Sequence, residues 1–273
     1  MKTLFVGGGN MASAMIGGLA GRGVAASDLS VVDPDAAQRA RLAERFGIPT
    51  HDALDAALSQ ADHRATIVLA VKPQQMRGVA RALAPGLGGR LVVSIAAGIR
   101  ATDLSRWLGG HARIVRAMPN TPALVGAGIT GLAALPGLAA SDRDRADAVM
   151  ATCGATVWVD DESLLDAVTA VSGSGPAYVF YFMEAMHEAA RGLGLDDAQA
   201  RALTVATFQG ASLLAARSED PPAVLRERVT SKGGTTHAAL EAMRAGDVAQ
   251  RFVQAIEAAQ ARSVELGDEF GRD

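Results

Sequence analysis

Two glycine-rich stretches of the chain carry residue types whose spacing could do chemistry. In the first, Gly7, Gly9 and Ala12 follow a short apolar run with the G-x-G-x-x-A spacing of a dinucleotide-binding turn. The glycines permit a tight turn and a close approach of backbone to a pyrophosphate, and Ala12 lets the next helix pack closely. N–H groups at the start of that helix then face the phosphates. The alternative is a purely structural strand–helix turn, but Asp33 follows about twenty residues after the glycines, as the dinucleotide fingerprint requires.

Asp33 also bears on the choice of cofactor. A carboxylate at this position accepts a hydrogen bond from a ribose 2′-hydroxyl and repels a 2′-phosphate, which favours NAD over NADP. Arg39 and Arg41 lie further along the next predicted helix and could still reach a phosphate. The sequence therefore allows either NADP or NAD as the cofactor and favours NAD.

Three further segments end predicted parallel strands, where ligands bind in doubly wound sheets. They are residues 70–73, 94–98 and 118–122. Lys72 could meet a cofactor phosphate or ribose, or be a solvated lysine at a strand end. Ala96 and Ala97 are small enough for backbone to lie against a nicotinamide or ribose. Asn120 could contact the ring, although capping of a turn is the expected role.

The second glycine-rich stretch, Thr230–Thr236, runs into the predicted start of a helix. Backbone N–H groups at a helix start, together with the hydroxyls of Thr235 and Thr236, form a ready carboxylate site. The alternative is an ordinary capped helix start.

Other polar residues give weaker signals. Glu184, His187 and Glu188 share one helix face, but no further His or Cys lies at ligand spacing, so no metal is expected. Cys153 is expected in the core. No Ser/His/Asp arrangement suggests hydrolysis.

The elements that must position these residues alternate between strand and helix up to about residue 160. Near-continuous apolar strands predict an α/β fold with a Rossmann-type, doubly wound parallel sheet. From Glu162 on, the periodicity is helical, with breaks at Gly and Pro residues. We expect Thr102 to cap one helix and the charged tail from Gly267 to fray. The predicted domains are 1–160, which binds the dinucleotide, and 161–273, which is helical and serves dimerisation and substrate binding.

The helix predicted at residues 176–191 is apolar nearly all round its first turns, which is more than one core-facing stripe needs. A helical domain of about 110 residues can hardly bury such a helix alone. We therefore expect subunits to associate into at least a homodimer.

Composition sets the remaining bounds. The chain has 273 residues, 49% of them hydrophobic, and a formal charge of -3. This charge gives no reason to expect nucleic acid or an anionic membrane surface as partner. No secretory signal or membrane-spanning run is evident, and the single cysteine suits a reducing compartment, so a soluble cytoplasmic protein is expected.

Over essentially its full length the chain resembles the pyrroline-5-carboxylate reductase family. The resemblance lies in the motifs Gly7-x-Gly-Asn-Met11, Ala70-Val-Lys-Pro73, Ser94-Ile-Ala-Ala-Gly98, Arg116-Ala-Met-Pro-Asn-Thr-Pro122, Val171-Ser-Gly-Ser-Gly-Pro-Ala-Tyr178 and Ser231-Lys-Gly-Gly-Thr-Thr236.

This resemblance implies a Rossmann domain, a helical dimerisation domain and often a larger ring of dimers. It implies that Thr236 hydrogen-bonds the ring nitrogen of the substrate and that nearby backbone holds the carboxylate. The implied substrate-binding residues are Glu162, Glu219, Ser231, Gly233, Gly234, Thr235 and Thr236. The cofactor-binding residues, from the motif and the resemblance together, are Val6, Gly7, Gly8, Gly9, Asn10, Met11, Asp33, Ala70, Val71, Lys72, Pro73, Ala96, Ala97 and Asn120. The chain departs from the family pattern at Asp33, Arg228 and Lys232.

The expected activity is reduction of 1-pyrroline-5-carboxylate to L-proline by NAD(P)H. One alternative is a related imine or hydroxyacid reductase; the similar hydroxyacid enzymes use a lysine after the interdomain link, and no lysine lies between Lys72 and Lys232. The other is a non-catalytic dinucleotide-binding regulator, which would need no polar loop at residues 231–236.

Overall fold

The computed structural model describes residues 1–272, which form two compact units. The first unit comprises Met1–Ser174 and the chain from Ala259 on, and the second comprises Gly175–Ala258. These bounds differ from the predicted domain boundary at residue 160, because residues 161–174 and the end of the last helix pack with the sheet. The predicted division into a cofactor-binding part and a dimerisation part concerns function and stays a prediction.

The first unit is built around one mixed sheet of eight strands within residues 1–272, in the order β3-β2-β1-β4-β5-β6-β7-β8. All neighbours pair in parallel except β6 and β7. The expectation of a wholly parallel sheet is wrong at this point, because residues 119–127 are too few for a helical crossover, which takes about a dozen or more. The strands are β1 (Thr3–Val6), β2 (Leu29–Val32), β3 (Thr50–His51), β4 (Thr66–Leu69), β5 (Val92–Ser94), β6 (Ile114–Met118), β7 (Gly128–Ala134) and β8 (Gly154–Trp158).

Helices cover both faces of this sheet, as its apolar strands require. Successive residues of β1 show this, since Phe5 belongs to one buried cluster and Leu4 to the other. The helices of this unit are α1 (Asn10–Gly21), α2 (Ala36–Phe46), α3 (Leu54–Gln60), α4 (Pro73–Leu87), α5 (Ala101–Trp107), α6 (Ala140–Met150) and α7 (Leu164–Val168), and a π-helical turn, Thr169–Gly173, follows α7.

Strand order reverses between β1 and β4, which are neighbours at the centre of the sheet. The chain leaves β1 toward α1 and leaves β4 toward α4, so the segments that follow these strands flank the switch point. In open α/β sheets this crevice is where ligands bind. The fold thus places the glycine turn at the expected ligand position.

The second unit is helical. Its helices are α8 (Gly175–Gly192), α9 (Asp197–Arg217), α10 (Pro222–Arg228), α11 (Thr235–Ala245) and α12 (Val248–Gly271), of which α12 continues into the first unit from Ala259.

The apolar side chains of α8 and α9 are not all covered within one chain. Phe182 packs edge-on against Phe252, with ring centroids 5.5 Å apart. Phe180 and Tyr181, however, are 56% and 70% exposed. These residues leave an apolar surface that a single copy of the chain does not bury. None of the helices in residues 1–272 has both the length and the apolar character that a bilayer crossing requires.

Two local expectations are wrong. Thr102 does not cap α5, because the helix already begins at Ala101 with Arg100 in the cap position. The tail from Gly267 does not fray, because α12 remains helical to Gly271 and Phe270 packs on the buried cluster that contains Ala96. Asp273 lies outside the described residues.

Candidate active site

The turn between β1 and α1 has the geometry of a phosphate-binding loop. Gly7 adopts a positive φ of 97°, and a Cβ there would lie 2.7 Å from the Ala70 carbonyl oxygen, so only glycine fits. Gly9 is the N-cap of α1, and no side chain caps the helix. A Cβ built on Gly9 meets no atom within 4 Å. The first N–H groups of α1 are therefore open to an anion, with room for it beside Gly9.

Asp33, just after β2, is tied to this turn. Its Oδ2 accepts a hydrogen bond of 2.7 Å from the Gly8 N–H, and its Oδ1 accepts one of 2.9 Å from the Asp35 N–H. The carboxylate is thus held beside the glycines by two backbone donors. A ribose bound to the turn would meet a fixed negative charge.

The two arginines that could offset this charge are turned toward their own chain. Arg39 Nη1 donates to the carbonyl oxygens of Asp33 and Pro34 at 2.7 and 2.9 Å. Arg41 donates to the Gln38 side-chain oxygen. Either would have to leave these partners to reach a 2′-phosphate.

The neighbouring strands bring further predicted residues to the same edge of the sheet. Ala70 follows β4 and donates its N–H to Val6 at 2.8 Å. Lys72 is exposed at the N-cap of α4, and Pro73 is the first residue of that helix. After β5, Ala96 is buried and Ala97 is half-buried. Ala70, Ala96 and Ala97 thus place small side chains at these strand ends, as a flat ring lying against the backbone would require.

Asn120 is fully engaged within the protein. Its Nδ2 donates to the Ser172 carbonyl oxygen at 3.1 Å, and its Oδ1 accepts from the Ile129 N–H at 3.0 Å. The side chain therefore joins the end of β6 to the start of β7 and to the π-helical turn. These bonds favour the turn-holding role over contact with a nicotinamide.

Glu162 joins two elements at the same end of the sheet. Its Oε1 accepts a hydrogen bond of 2.7 Å from the Ala101 N–H, at the start of α5, and one of 3.1 Å from Arg116 Nη1. Arg116 lies in β6 and is only 4% exposed. Glu162 thus links the start of α5 to β6 through its Oε1. Its Oε2 takes no hydrogen bond within residues 1–272.

The side chain of Arg116 is not among the site residues expected from the sequence, although its position in the strand indicates a buried ion pair. A single arginine in the apolar strand Ile114-Val-Arg-Ala-Met118 is a charge in a buried position, which needs a partner.

In the second unit, the predicted substrate loop forms an open helix start. Gly233 has a positive φ of 73°, and the Gly234 N–H donates to the Ser231 carbonyl oxygen at 3.0 Å. Gly234 is the N-cap of α11, without a side-chain cap and without an acidic residue in the first turn. The N–H groups and hydroxyls of Thr235 and Thr236 therefore stand at the positive end of a helix that lacks a counter-charge.

Two other groups in the second unit lie outside this loop. Glu219 is exposed and forms no hydrogen bond or ion pair within the described part of the chain. Glu184, His187 and Glu188 line an open cavity of about 760 Å³ between α8 and α9. His187 Nε2 lies 3.1 Å from Asp197 Oδ1, and no group of metal-ligand residues is found in residues 1–272.

Comparison with known proteins agrees with this layout. Residues 162–266 match the family model described as pyrroline-5-carboxylate reductase dimerisation, and residues 2–98 match NADP oxidoreductase coenzyme F420-dependent. A pyrroline-5-carboxylate reductase of Pseudomonas aeruginosa is 46% identical over 99% of this chain and 98% of its own length.

Solved structures give the same result. A pyrroline-5-carboxylate reductase from Coxiella burnetii is 38% identical, with a TM-score of 0.91 over 97% of this chain and 98% of that one. The enzyme of Plasmodium falciparum with NADP bound is 28% identical, with a TM-score of 0.86 over 98% of both chains. The chain therefore belongs to the pyrroline-5-carboxylate reductase family.

Proposed function

We propose that this chain reduces 1-pyrroline-5-carboxylate to L-proline with a hydride from NAD(P)H. The observation that carries the proposal is the uncapped start of α1 behind Gly7–Gly9, at the switch point of the sheet, in a chain of this family. A bound reduced nicotinamide supplies the hydride, which adds to the carbon of the C=N bond.

The residues of the first unit fit the cofactor. The space beside Gly9 and the free N–H groups of α1 suit a pyrophosphate, and Asp33 lies where a ribose hydroxyl would be met. Ala96 and Ala97 leave room beside the nicotinamide. Val6–Met11, Ala70–Pro73 and Asn120 complete the proposed cofactor-binding set, with Asn120 acting by holding its turn.

The residues of the second unit fit the imino acid. N–H groups at the start of α11 bind the carboxylate, with Ser231, Gly233 and Gly234 shaping the loop, and the Thr236 hydroxyl hydrogen-bonds the ring nitrogen. The ring reacts as its protonated iminium, so the nitrogen already carries the proton that the product keeps. No strong general acid is then required, and orientation of the ring, worth about 7–11 kcal/mol in favourable systems, is the main contribution. Glu162, through Oε2, and Glu219 remain proposed substrate contacts.

We further propose that NADH is preferred to NADPH. Asp33 presents its charge beside the turn, and the nearby arginines are bound to their own chain. Asp33 would repel a 2′-phosphate, and Arg39 and Arg41 would have to leave their present partners to compensate for this charge.

The dimerisation domain of the family supports homo-oligomerisation of this chain. The exposed apolar side chains of α8 and α9 support a homodimer as the basic unit. We propose that dimers assemble further into a ring and that the enzyme works in the cytoplasm.

The test is oxidation of NADH and NADPH, each measured with and without 1-pyrroline-5-carboxylate. Substrate-dependent oxidation supports the proposed reaction, and the ratio of kcat/KM for the two cofactors measures the preference. Binding of cofactor without any substrate-dependent oxidation would instead favour a non-catalytic regulator, and activity on other imines only would favour a related reductase.

A further inference from the structure

The end of α12 lies directly against the segment that follows β5. Gly98 adopts a positive φ of 74°, and a Cβ built there would lie 2.8 Å from Phe270 Cδ2 and 3.5 Å from Leu266 Cβ. The backbone at Gly98 therefore touches the aromatic ring with no space for a side chain between them. Phe270 is half-buried against the cluster that contains Ala96 and Ile99.

Polar contacts fix this part of α12 to the rest of the first unit, to which it belongs. Ser263 Oγ donates to Asp166 Oδ1 at 2.7 Å, and the two residues are only 5% and 6% exposed. One turn further, Arg100 Nη2 lies 2.8 Å from Asp268 Oδ1. Arg100 is two residues after Gly98, so the segment is held by α12 through both an apolar contact and an ion pair.

The segment held in this way is the one assigned to the cofactor. Ala96 and Ala97 immediately precede Gly98 at the carboxyl end of β5, beside β4 at the switch point. A ligand binds a segment more weakly when only a fraction of the molecules hold it in the binding conformation. Removing the ring beneath Gly98 would free the backbone at 96–99 to adopt other conformations.

We propose that Phe270 is a positioning residue for the cofactor, acting through Gly98 on the segment Ala96–Gly98. The inference rests on the proposed function, because it assumes that this segment lines the cofactor site. It gives the end of the chain a role in dinucleotide affinity without contact between Phe270 and the cofactor.

The test compares Phe270→Ala and Phe270→Leu with Glu269→Ala in the full-length protein. Glu269 lies on the same turn and forms an exposed ion pair with Arg262, which is worth little. NADH affinity is measured by fluorescence titration without substrate, together with Tm. If a tenth of the Phe270→Ala molecules hold the segment correctly, the Kd for NADH rises about tenfold, with a smaller rise for Phe270→Leu and none for Glu269→Ala.

A second readout does not depend on the cofactor. Amide hydrogen exchange of residues 96–101 in the free enzyme should be faster in Phe270→Ala than in wild type, while exchange in the β1 strand stays unchanged.

Steady-state kinetics give a third readout. In Phe270→Ala, KM for the cofactor should rise far more than KM for the imino acid.

A folded Phe270→Ala variant with wild-type Kd for NADH and wild-type exchange at 96–101 would overturn the proposal. If Phe270→Ala does not fold, Phe270→Leu decides by the same two measurements. A wild-type enzyme that binds NADH but reduces no imine would contradict the proposed reaction and leave this inference standing. A wild type that binds no dinucleotide would remove both.

Discussion

The Asp33 carboxylate lies 2.7 Å from the Gly8 backbone nitrogen, so the group that we propose to face a ribose also binds the backbone of the glycine turn. Asp33→Asn removes the negative charge but keeps an oxygen that can accept from Gly8. We expect the ratio of kcat/KM for NADPH to that for NADH to rise about tenfold, which corresponds to about 1.4 kcal/mol. Steady-state kinetics with both cofactors measure the ratio.

A neighbouring carboxylate provides the control. Asp35 caps α2 by accepting from the Ala37 and Gln38 N–H groups. Asp35→Ser keeps a capping oxygen while it removes a charge two residues from Asp33. If the NADPH/NADH ratio of kcat/KM changed as much in Asp35→Ser as in Asp33→Asn, the cofactor preference would be set by the overall charge near the turn and not by Asp33.

Glu162 is expected to contribute to stability through its partner. Glu162→Ala leaves the buried Arg116 guanidinium without its carboxylate, and loss of one partner of a buried ion pair costs about 3 kcal/mol. Urea unfolding should show this loss, with a smaller loss for Glu162→Gln because the amide oxygen still accepts from Ala101. Asp160→Asn, at an exposed position nearby, should be neutral. Equal stability of Glu162→Ala and wild type would contradict the role assigned to the Arg116 pair.

Asp142 gives the fold a predictable acid sensitivity. Arg113 binds this buried carboxylate through Nε at 2.9 Å and Nη2 at 2.7 Å. These hydrogen bonds lower the pKa of Asp142 below its ordinary value of 3.8. A lowered folded-state pKa means that the unfolded chain binds the proton more readily, so the stabilisation is complete above about pH 5 and is lost as the pH falls through the folded-state pKa.

Asp142→Asn should therefore lower the free energy of unfolding at pH 7 by about 1.5–3 kcal/mol, the usual range for hydrogen bonds to charged groups. The loss should shrink as the pH approaches 3, because the unfolded wild-type chain then binds a proton at Asp142 more readily than the folded chain does, which lowers the wild-type stability. Urea unfolding between pH 3 and pH 7 measures both effects. Asp144→Asn, exposed on the same helix, serves as the control, and a loss that is equal at pH 3 and pH 7 would contradict the argument.

Local patterns were enough to predict most of the fold. Apolar residues and turn residues in the sequence indicate β1, α9 and α11, which the structure has at Thr3–Val6, Asp197–Arg217 and Thr235–Ala245. The antiparallel direction of β7 could not be predicted in this way, because the residue pattern of a strand does not indicate which strand it pairs with. Strand β3, with two residues after a proline, is too short to leave a periodic signal.

The glycine turn and the Thr235 helix start were also visible in sequence, because they depend on neighbouring residues. The partners of Glu162 were not, since Arg116 lies 46 residues away and Ala101 lies 61 residues away. The contact of Phe270 with Gly98 likewise joins distant parts of the chain. These contacts arise from the packing of elements that are far apart along the chain, so local sequence patterns do not predict them.

The apolar surface of α8 should be needed for association. Phe180→Asp puts a charge on a side chain that is 56% exposed in the single chain and that we expect a second copy to bury. Light scattering after size exclusion should show a smaller oligomer. Val125→Asp changes a residue of the first unit that is 81% exposed and should leave the mass unchanged. An unchanged mass in Phe180→Asp would place the dimer contact elsewhere.

Substitution of Thr236 tests the proposed substrate site. Thr236→Ala removes the hydroxyl proposed to bind the ring nitrogen, while the N–H groups at the start of α11 stay in place. A hydrogen bond to a charged group is worth about 1.5–3 kcal/mol. We therefore expect kcat/KM for 1-pyrroline-5-carboxylate to fall by about ten- to a hundredfold. Steady-state kinetics and a cofactor titration measure both ligands.

The matched control is Thr230→Ala, at the other end of the same loop. The Thr230 hydroxyl already donates to the Arg226 carbonyl oxygen at 2.6 Å, so it is engaged with the preceding helix, α10. Its loss should lower stability slightly and leave kcat/KM for the imino acid near the wild-type value. If Thr236→Ala weakened NADH binding as much as it slowed the imino acid, Thr236 would be holding the fold of the loop, and the ring nitrogen would need another partner.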